Sequence, residues 1–398
     1  MHDQSPTRRT VLRAGTGLAA ATVLAACGSP GPEKTGSPAP STQAPDNAPT
    51  GYAMPAEWLE HERTFMAWPA LTEVWGDQLP AVRNDIAGLA RAVAQYEPVV
   101  LMARADQADQ AQQQVGDSVE VVAIEVDDLW ARDTGPTFVT GPAGLAGVDL
   151  NFNGWGGKQT HADDAHVAAN LLAKYQVRRI RAPITGEGGA IETDGDGTLM
   201  ATESSLVNDN RNPGLTRDEI EADLKAVLGV RKVIWFKGVA GQDITDCHVD
   251  ALARFVGPGV VALQRPGPNT PPDIWSAASD QALTVLRQAT DARGRSLRVV
   301  EITDPDLDLI EGAGKDFLAT YLNFYVCNGA VVMPRFGDRQ ADDKAAAVLR
   351  DLHPDRDVVQ VSINAIASGG GGIHCSTQQQ PKLGATSPPA QAPSATAS

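Results

Sequence analysis

The sequence predicts an α/β ring of pseudo-fivefold symmetry, a propeller-like body built from five ββαβ-like repeats. Three observations predict it. Five segments carry apolar residues at helical period. A short β-branched run follows each segment, and a polar or glycine-rich loop follows each run. The pattern recurs at about 66 residues, a unit too small to bury its own apolar face, so the units must pack on one another. A doubly wound sheet is the alternative, but the stretches between helices look like hairpins rather than single strands.

The first helical segment spans 79–96 and leads into a strand run at 98–102. An extra stretch at 105–128 breaks strict periodicity. The second helix spans 162–175, with a strand run at 177–180. Runs at 189–193 and 198–202 flank Asp194-Gly195-Asp196-Gly197, which is hairpin turn chemistry. Acidic residues are not at the spacing of a calcium loop there. The third helix spans 216–228 and opens on a capping box, Thr216 with Glu219, before a strand run at 230–236. The fourth pair is 277–292 with 297–302, and the fifth is 341–352 with 358–363.

The ends read differently. Thr7-Arg8-Arg9-Thr10-Val11-Leu12-Arg13 reads as a twin-arginine leader, followed by a short apolar run at 14–26. Leu24-Ala25-Ala26-Cys27 fits a lipobox, with Cys27 as the lipidated residue. Residues 1–27 are therefore expected to be an export signal. The protein would work outside the bacterial inner membrane, with contact to the membrane only through a lipid anchor. Residues 28–51 have the composition of a flexible tether, and 384–398 that of a disordered tail. Residues 52–383 are left as a single catalytic domain.

The chain has 398 residues, of which 42% are hydrophobic, enough for a sizeable core. Its 49 acidic side chains exceed its 33 Lys and Arg, for a formal charge of −16. That balance argues against nucleic acid and permits a cationic small substrate. Four cysteines are too few for a disulfide scaffold of this length.

Each expected unit offers one polar loop. They are Trp130-Ala131-Arg132-Asp133-Thr134-Gly135-Pro136, Glu187-Gly188-Gly189, Cys247-His248-Val249-Asp250, Tyr321-Leu322-Asn323-Phe324, and Gly369-Gly370-Gly371-Gly372-Ile373-His374-Cys375. In a fivefold ring these loops converge on the axis. Cys375 follows four glycines and is the candidate nucleophile. Cys247 and Cys327 read as core residues of apolar strands. His248 and Asp250 alternate about Val249, which places them on one face of a strand. They could begin a metal site, but no further His pair stands at ligand spacing, and His161 and His166 do not supply one. His248 is therefore expected to be the acid/base and Asp250 a substrate-binding or orienting carboxylate. With Asp133, two carboxylates stand near one thiol. Anions raise a thiol's pKa, so the arrangement is counterproductive unless the substrate is a planar cation. A guanidinium fits, because its fork of donors matches paired carboxylates.

Several longer strings resemble the agmatine deiminases. They are Met54-Pro55-Ala56-Glu57-Trp58, Thr64-Phe65-Met66-Ala67-Trp68-Pro69, Asn210-Arg211-Asn212-Pro213, Asn323-Phe324-Tyr325, and Ile373-His374-Cys375-Ser376-Thr377-Gln378-Gln379-Gln380-Pro381, beside the Asp133, Glu187 and His248 loops. The wider family is that of agmatine deiminases and bacterial peptidylarginine deiminases, within the pentein superfamily of guanidine-modifying enzymes. The resemblance implies a pentein fold and hydrolysis of agmatine to N-carbamoylputrescine and ammonia, with no cofactor and no metal. It implies Cys375 as nucleophile, His248 as acid/base, Asp133 and Asp250 on the guanidinium, and Glu187 orienting the histidine. Trp130 resembles a wall of the substrate slot, and Asn323 a residue near the nucleophile. The chain departs from the family's usual strings at Gly189-Ala190-Ile191-Glu192, at Ala251 and at Val74-Trp75-Gly76. Those departures leave free arginine or an arginyl peptide as alternative substrates. An exported binding lipoprotein on a degenerate enzyme fold is the alternative outside enzymology.

Overall fold

The computed structural model describes residues 51–267, 269–314 and 316–384. The twin-arginine leader, Cys27, most of the tether and most of the tail lie outside the described residues.

Five small sheets make up the body, and the fivefold reading holds. In the second sheet, strand Thr137–Gly141 pairs antiparallel with Gly144–Asp149, which pairs parallel with Arg178–Arg181. The third sheet repeats this with Ile191–Thr193, Thr198–Thr202 and Lys232–Phe236. The fourth uses Ala253–Gly257, Val260–Arg265 and Arg298–Thr303. The fifth uses Tyr325–Cys327, Ala330–Arg335 and Asp357–Ser362. A helix crosses over between each parallel pair, as parallel pairing requires.

The first sheet closes the ring. Its antiparallel strand, Gln378–Pro381, comes from the far end of the body and pairs with His61–Ala67. Val99–Ala103 then pairs parallel with His61–Ala67. The extra stretch is a further helix and strand, Ala108–Val115 and Val119–Ala123, which add a fourth strand to this sheet.

The helices are where apolar period placed them, with shifted ends: Leu79–Val93, Val167–Lys174, Arg217–Leu228, Ile274–Gln288 and Arg339–Leu352. The third shows why. The Thr216 hydroxyl accepts from Glu219 N at 3.3 Å, and the Glu219 carboxylate accepts from Thr216 N at 2.8 Å. Ile220, Leu224, Val227 and Leu228 form its buried stripe, each side chain contributing roughly 1.5–3 kcal/mol. Gly229, at φ 66°, ends it in the left-handed conformation. Likewise Asp194-Gly195-Asp196-Gly197 forms the expected turn, with Asp194 Oδ1 accepting from Asp196 N and Thr198 N at 2.8 Å each. Among the described residues no helix is long and apolar enough to cross a membrane.

One half-buried carboxylate ties a helix to the segment that carries Cys375. Asp85 Oδ2, on Leu79–Val93, accepts from Ala365 N at 2.8 Å and Ile366 N at 3.3 Å. Burial pushes this carboxyl up to about 6, with the two backbone donors pulling the other way. The folded state thus binds its proton more tightly than the unfolded state does. This group's contribution is neutral below about pH 4 and falls as pH rises through 6. Asn offers the same acceptor without a half-buried charge. Asp85→Asn is expected to gain roughly 1–2 kcal/mol at pH 8, after allowing for solvent screening, and nothing at pH 4. Urea denaturation at the two pH values checks it.

Candidate active site

Each of the five polar loops leads into the strand that pairs antiparallel in its sheet. Asp133 precedes Thr137–Gly141, Glu187 precedes Ile191–Thr193, and Asp250 precedes Ala253–Gly257. Asn323 precedes Tyr325–Cys327, and Cys375 precedes Gln378–Pro381. Corresponding ends of five strands therefore deliver these side chains to one centre.

The local structure of two loops is set by residues that are not themselves reactive. Cys375 N donates to Asn323 Oδ1 at 3.2 Å, and Asn323 Nδ2 donates to Cys375 Sγ at 3.3 Å. Gly372 permits this approach, since a Cβ there would lie 2.5 Å from Asn323 Oδ1. His248 and Asp250 are not on a strand, which corrects the alternation reading. His248 stands at the start of a 3-10 turn, Val249–Ala251. Asp246 and Cys247 before it take φ of 58° and 68°. This left-handed pair diverts the chain from strand pairing. It is held by Asp243 Oδ1, which accepts from Cys247 N at 2.9 Å, and by Thr245 Oγ1, which accepts from His248 N at 3.2 Å. Cys247 is buried as expected but lines the cleft instead of a strand, whereas Cys327 lies in the strand Tyr325–Cys327.

His248 is surrounded by carboxylates. Its Nε2 lies 3.3 Å from Glu187 Oε2, and its Nδ1 lies 3.7 Å from Asp133 Oδ1. Glu187 in turn accepts from Arg211 Nε at 2.9 Å. Arg211 also meets Asp246, which Lys158 Nζ holds at 2.6 Å. Asp133 Oδ2 accepts from Trp155 Nε1 at 2.9 Å, and Oδ1 accepts from Gly189 N at 3.1 Å. A Cβ on Gly189 would lie 2.6 Å from His248 Nδ1 and 2.8 Å from Asp133 Oδ1, so the centre has room only for glycine.

The electrostatics follow from this packing. Burial alone would lower the His248 pKa, but Asp133, Glu187 and Asp250 outweigh it and raise the value. Burial would raise Glu187, but Arg211 and His248 hold it below its ordinary range. Burial opposes ionisation of Asp250 too, and the His374 hydrogen bond and charge hold it below its ordinary range. A protonated His248 can therefore give a proton at neutral pH, and activity should fall as pH rises through its raised pKa. Glu187→Gln removes one anion. It is expected to move that alkaline limb of kcat/KM to lower pH, which a pH–rate profile reads directly.

Asp250 Oδ2 lies 3.4 Å from Cys375 Sγ. Two buried polar atoms here have no hydrogen-bond partner among the described residues, His248 Nδ1 and Asp250 Oδ1. Both residues line, with Cys375, a solvent-open cleft. It is also lined by Asp243, Asp273 and Asp304 and by Trp275, Leu307 and Phe317. Among the described residues no Lys or Arg lines it. The arrangement suits a flat cation presented to a thiol, with a proton donor beside it. Among the described residues no group of three or more His, Cys, Asp or Glu is placed to hold a metal ion.

The structure brings Cys375, His248, Asp133, Asp250, Glu187 and Asn323 together. Trp130 is buried behind them, its indole N–H given to Asp128 Oδ2 at 2.7 Å beside the Trp75 ring, and it does not line the cleft. Residue-by-residue reasoning missed His374, Glu57, Arg211 and Arg254. The first three lie inside strings that carried the family resemblance, but no local spacing shows what they touch.

The sequence matches the family described as Porphyromonas-type peptidyl-arginine deiminase over residues 53–381. It is 40% identical to the agmatine deiminase of Stutzerimonas stutzeri over 355 residues, covering 83% of this chain and 96% of that one. It is 37% identical to the agmatine deiminase of Medicago truncatula over 372 residues, covering 85% of this chain and 99% of that one. Among solved structures, the agmatine deiminase of Enterococcus faecalis superposes with a TM-score of 0.79 at 31% identity, over 83% of this chain and 96% of that one.

Proposed function

The chain belongs to the Porphyromonas-type peptidyl-arginine deiminase family, and from that premise we propose that it hydrolyses agmatine to N-carbamoylputrescine and ammonia. The observation that carries the choice of agmatine is the charge of the cleft. Asp243, Asp273 and Asp304 line it together with Cys375, and no described Lys or Arg does. Agmatine brings an ammonium to those carboxylates. Free arginine brings a carboxylate, which the cleft repels.

The chemistry assigned to the residues is covalent. Asp133 and Asp250 hold the guanidinium nitrogens, and the Cys375 thiolate attacks the central carbon. The C–N bond breaks as protonated His248 gives its proton to the departing nitrogen, which leaves as ammonia. An amidino-thioether remains on Cys375. Neutral His248 takes a proton from water, and the hydroxide adds to the same carbon. The C–S bond then breaks, returning the thiolate and releasing the ureido product. The net reaction is guanidinium plus water to urea group plus ammonium. Glu187 keeps the imidazole turned toward this path.

A ureido-product assay across agmatine, free arginine and a blocked arginyl peptide tests the reading, with Cys375→Ala as control. Agmatine should lead in kcat/KM, with arginine about tenfold or more behind, because a carboxylate is repelled by the acidic side chains of a solvent-open cleft. A lead for arginine or the peptide reassigns the substrate. No product from any of the three removes the deiminase reading and favours a cation-binding protein.

A further inference from the structure

Asp250 has one oxygen committed and one open, and something must hold it that way. Its Oδ2 lies 2.8 Å from His374 Nδ1, while Oδ1 is buried without a hydrogen-bond partner among the described residues. A carboxylate free to turn about its last bond would exchange the two oxygens. His374 is itself held at the other end, with Nε2 2.8 Å from Glu57 Oε2. A ring that faces a carboxylate oxygen from each nitrogen cannot turn without giving up one of the two contacts.

Glu57 is fixed from four sides. Its Oε1 accepts from Arg254 Nη2 and from Val326 N, each at 2.9 Å, and its Oε2 accepts from Arg132 Nη2 at 3.3 Å besides His374. Arg254 is wholly buried and equally constrained. Its Nε meets Glu192 Oε2 at 2.9 Å, and its Nη1 donates to Leu322 O at 3.2 Å and Phe324 O at 2.8 Å. Glu57 thus joins a residue ahead of the first sheet to the segment next to Cys375. Burying so many charges is costly, and apolar packing would stabilise the interior as well or better. A stability role alone does not account for the chain of contacts. A requirement to hold one carboxylate oxygen open does.

We propose that His374 and Glu57 are a positioning pair that clamps Asp250 so that Oδ1 faces the guanidinium of the substrate. The pair touches neither the reacting carbon nor the leaving nitrogen. It rests on the assignment of a guanidine substrate, and it concerns only the guanidinium end, which agmatine, arginine and an arginyl peptide share.

Two substitutions separate positioning from packing. The amide of His374→Asn places an N–H near the position of Nδ1, so it can still donate to Asp250. The amide of His374→Gln reaches toward Nε2 and leaves Asp250 without its donor. Steady-state kinetics use whichever of the three guanidines the wild type turns over best. His374→Gln should lower kcat/KM at least 100-fold with a rise in KM, and His374→Asn should stay within tenfold of wild type. Glu57→Gln should fall with His374→Gln, in kcat/KM and in KM. Thermal melting is recorded for each variant. Equal losses in the Asn and Gln variants overturn the pair, as do losses that rank with melting temperature. So does a loss confined to kcat with KM unchanged. If Glu57→Gln does not fold, the two His374 variants decide. A shift in preferred substrate overturns the agmatine assignment and leaves this comparison intact. A wild type that turns over none of the three overturns the guanidine reading and the pair with it.

Discussion

Cys375→Ala is expected to lose at least about 10⁴-fold in kcat, the scale on which removing a nucleophile acts in covalent catalysis. The thiol is buried, and Asn323 and Asp250 meet it from two sides, at 3.3 Å and 3.4 Å. No other described cysteine is placed to substitute. Cys327 is buried in its strand, and burial pushes its thiol out of the reactive range. Cys247 lines the cleft, but its backbone is fixed at φ 68° by Asp243. The variant should still bind agmatine, because Asp133 and Asp250 are untouched. Calorimetry that shows retained binding with no ureido product fits a nucleophile. Product formed at more than a hundredth of the wild-type rate sinks the assignment. Cys375→Ser tests the same point with a side chain of similar size. A hydroxyl does not ionise near neutral pH as a thiol does, so it should recover little of the rate.

Asp133→Asn carries the second large effect, and the reason is bookkeeping of donors. Both Asp133 oxygens accept backbone or indole N–H groups, from Gly189 and Trp155. An amide must turn its NH₂ toward one of them, so two donors then face each other in a buried place. The substitution also removes the anion that does most to raise His248 against burial. Breaking a buried charged contact costs about 3–5 kcal/mol. If that loss falls on the transition state, kcat/KM drops about a hundredfold to several thousandfold. The alkaline limb of the pH profile should move to lower pH in the same variant, because the imidazolium has lost a neighbouring anion. A variant within tenfold of wild type, with an unmoved limb, would leave Asp133 without a role in the reaction.

The repeat was readable because its signals are local. Helical period, β-branched runs, the Thr216 capping box and the Asp194-Gly195-Asp196-Gly197 turn each depend on a few consecutive residues, and each is present. Helix ends shifted by a few residues, since the last turns follow neighbours more than propensity. The reading of His248 and Asp250 as strand neighbours failed for a nameable reason. Alternation cannot register that Asp246 and Cys247 sit at positive φ, which turns the segment before any strand pairs. The two side chains still reach one cleft, by a turn in place of a pleat.

By itself the sequence determined the number of units, the loop each contributes, and the candidate set of one thiol, one imidazole and paired carboxylates. Those follow from residue types and short spacings, which survive without knowledge of the fold. Only the tertiary structure decided that Gln378–Pro381 closes the first sheet beside His61–Ala67, and closure sets the rest. It brings Glu57 to His374, Arg132 to Gln379 and Asn323 to Cys375. It leaves Asp250 Oδ1 open, and it lines the cleft with carboxylates. The physical reason is range. A hydrogen bond acts over about 3 Å, and contacts between residues far apart in the chain exist only once the ring has closed.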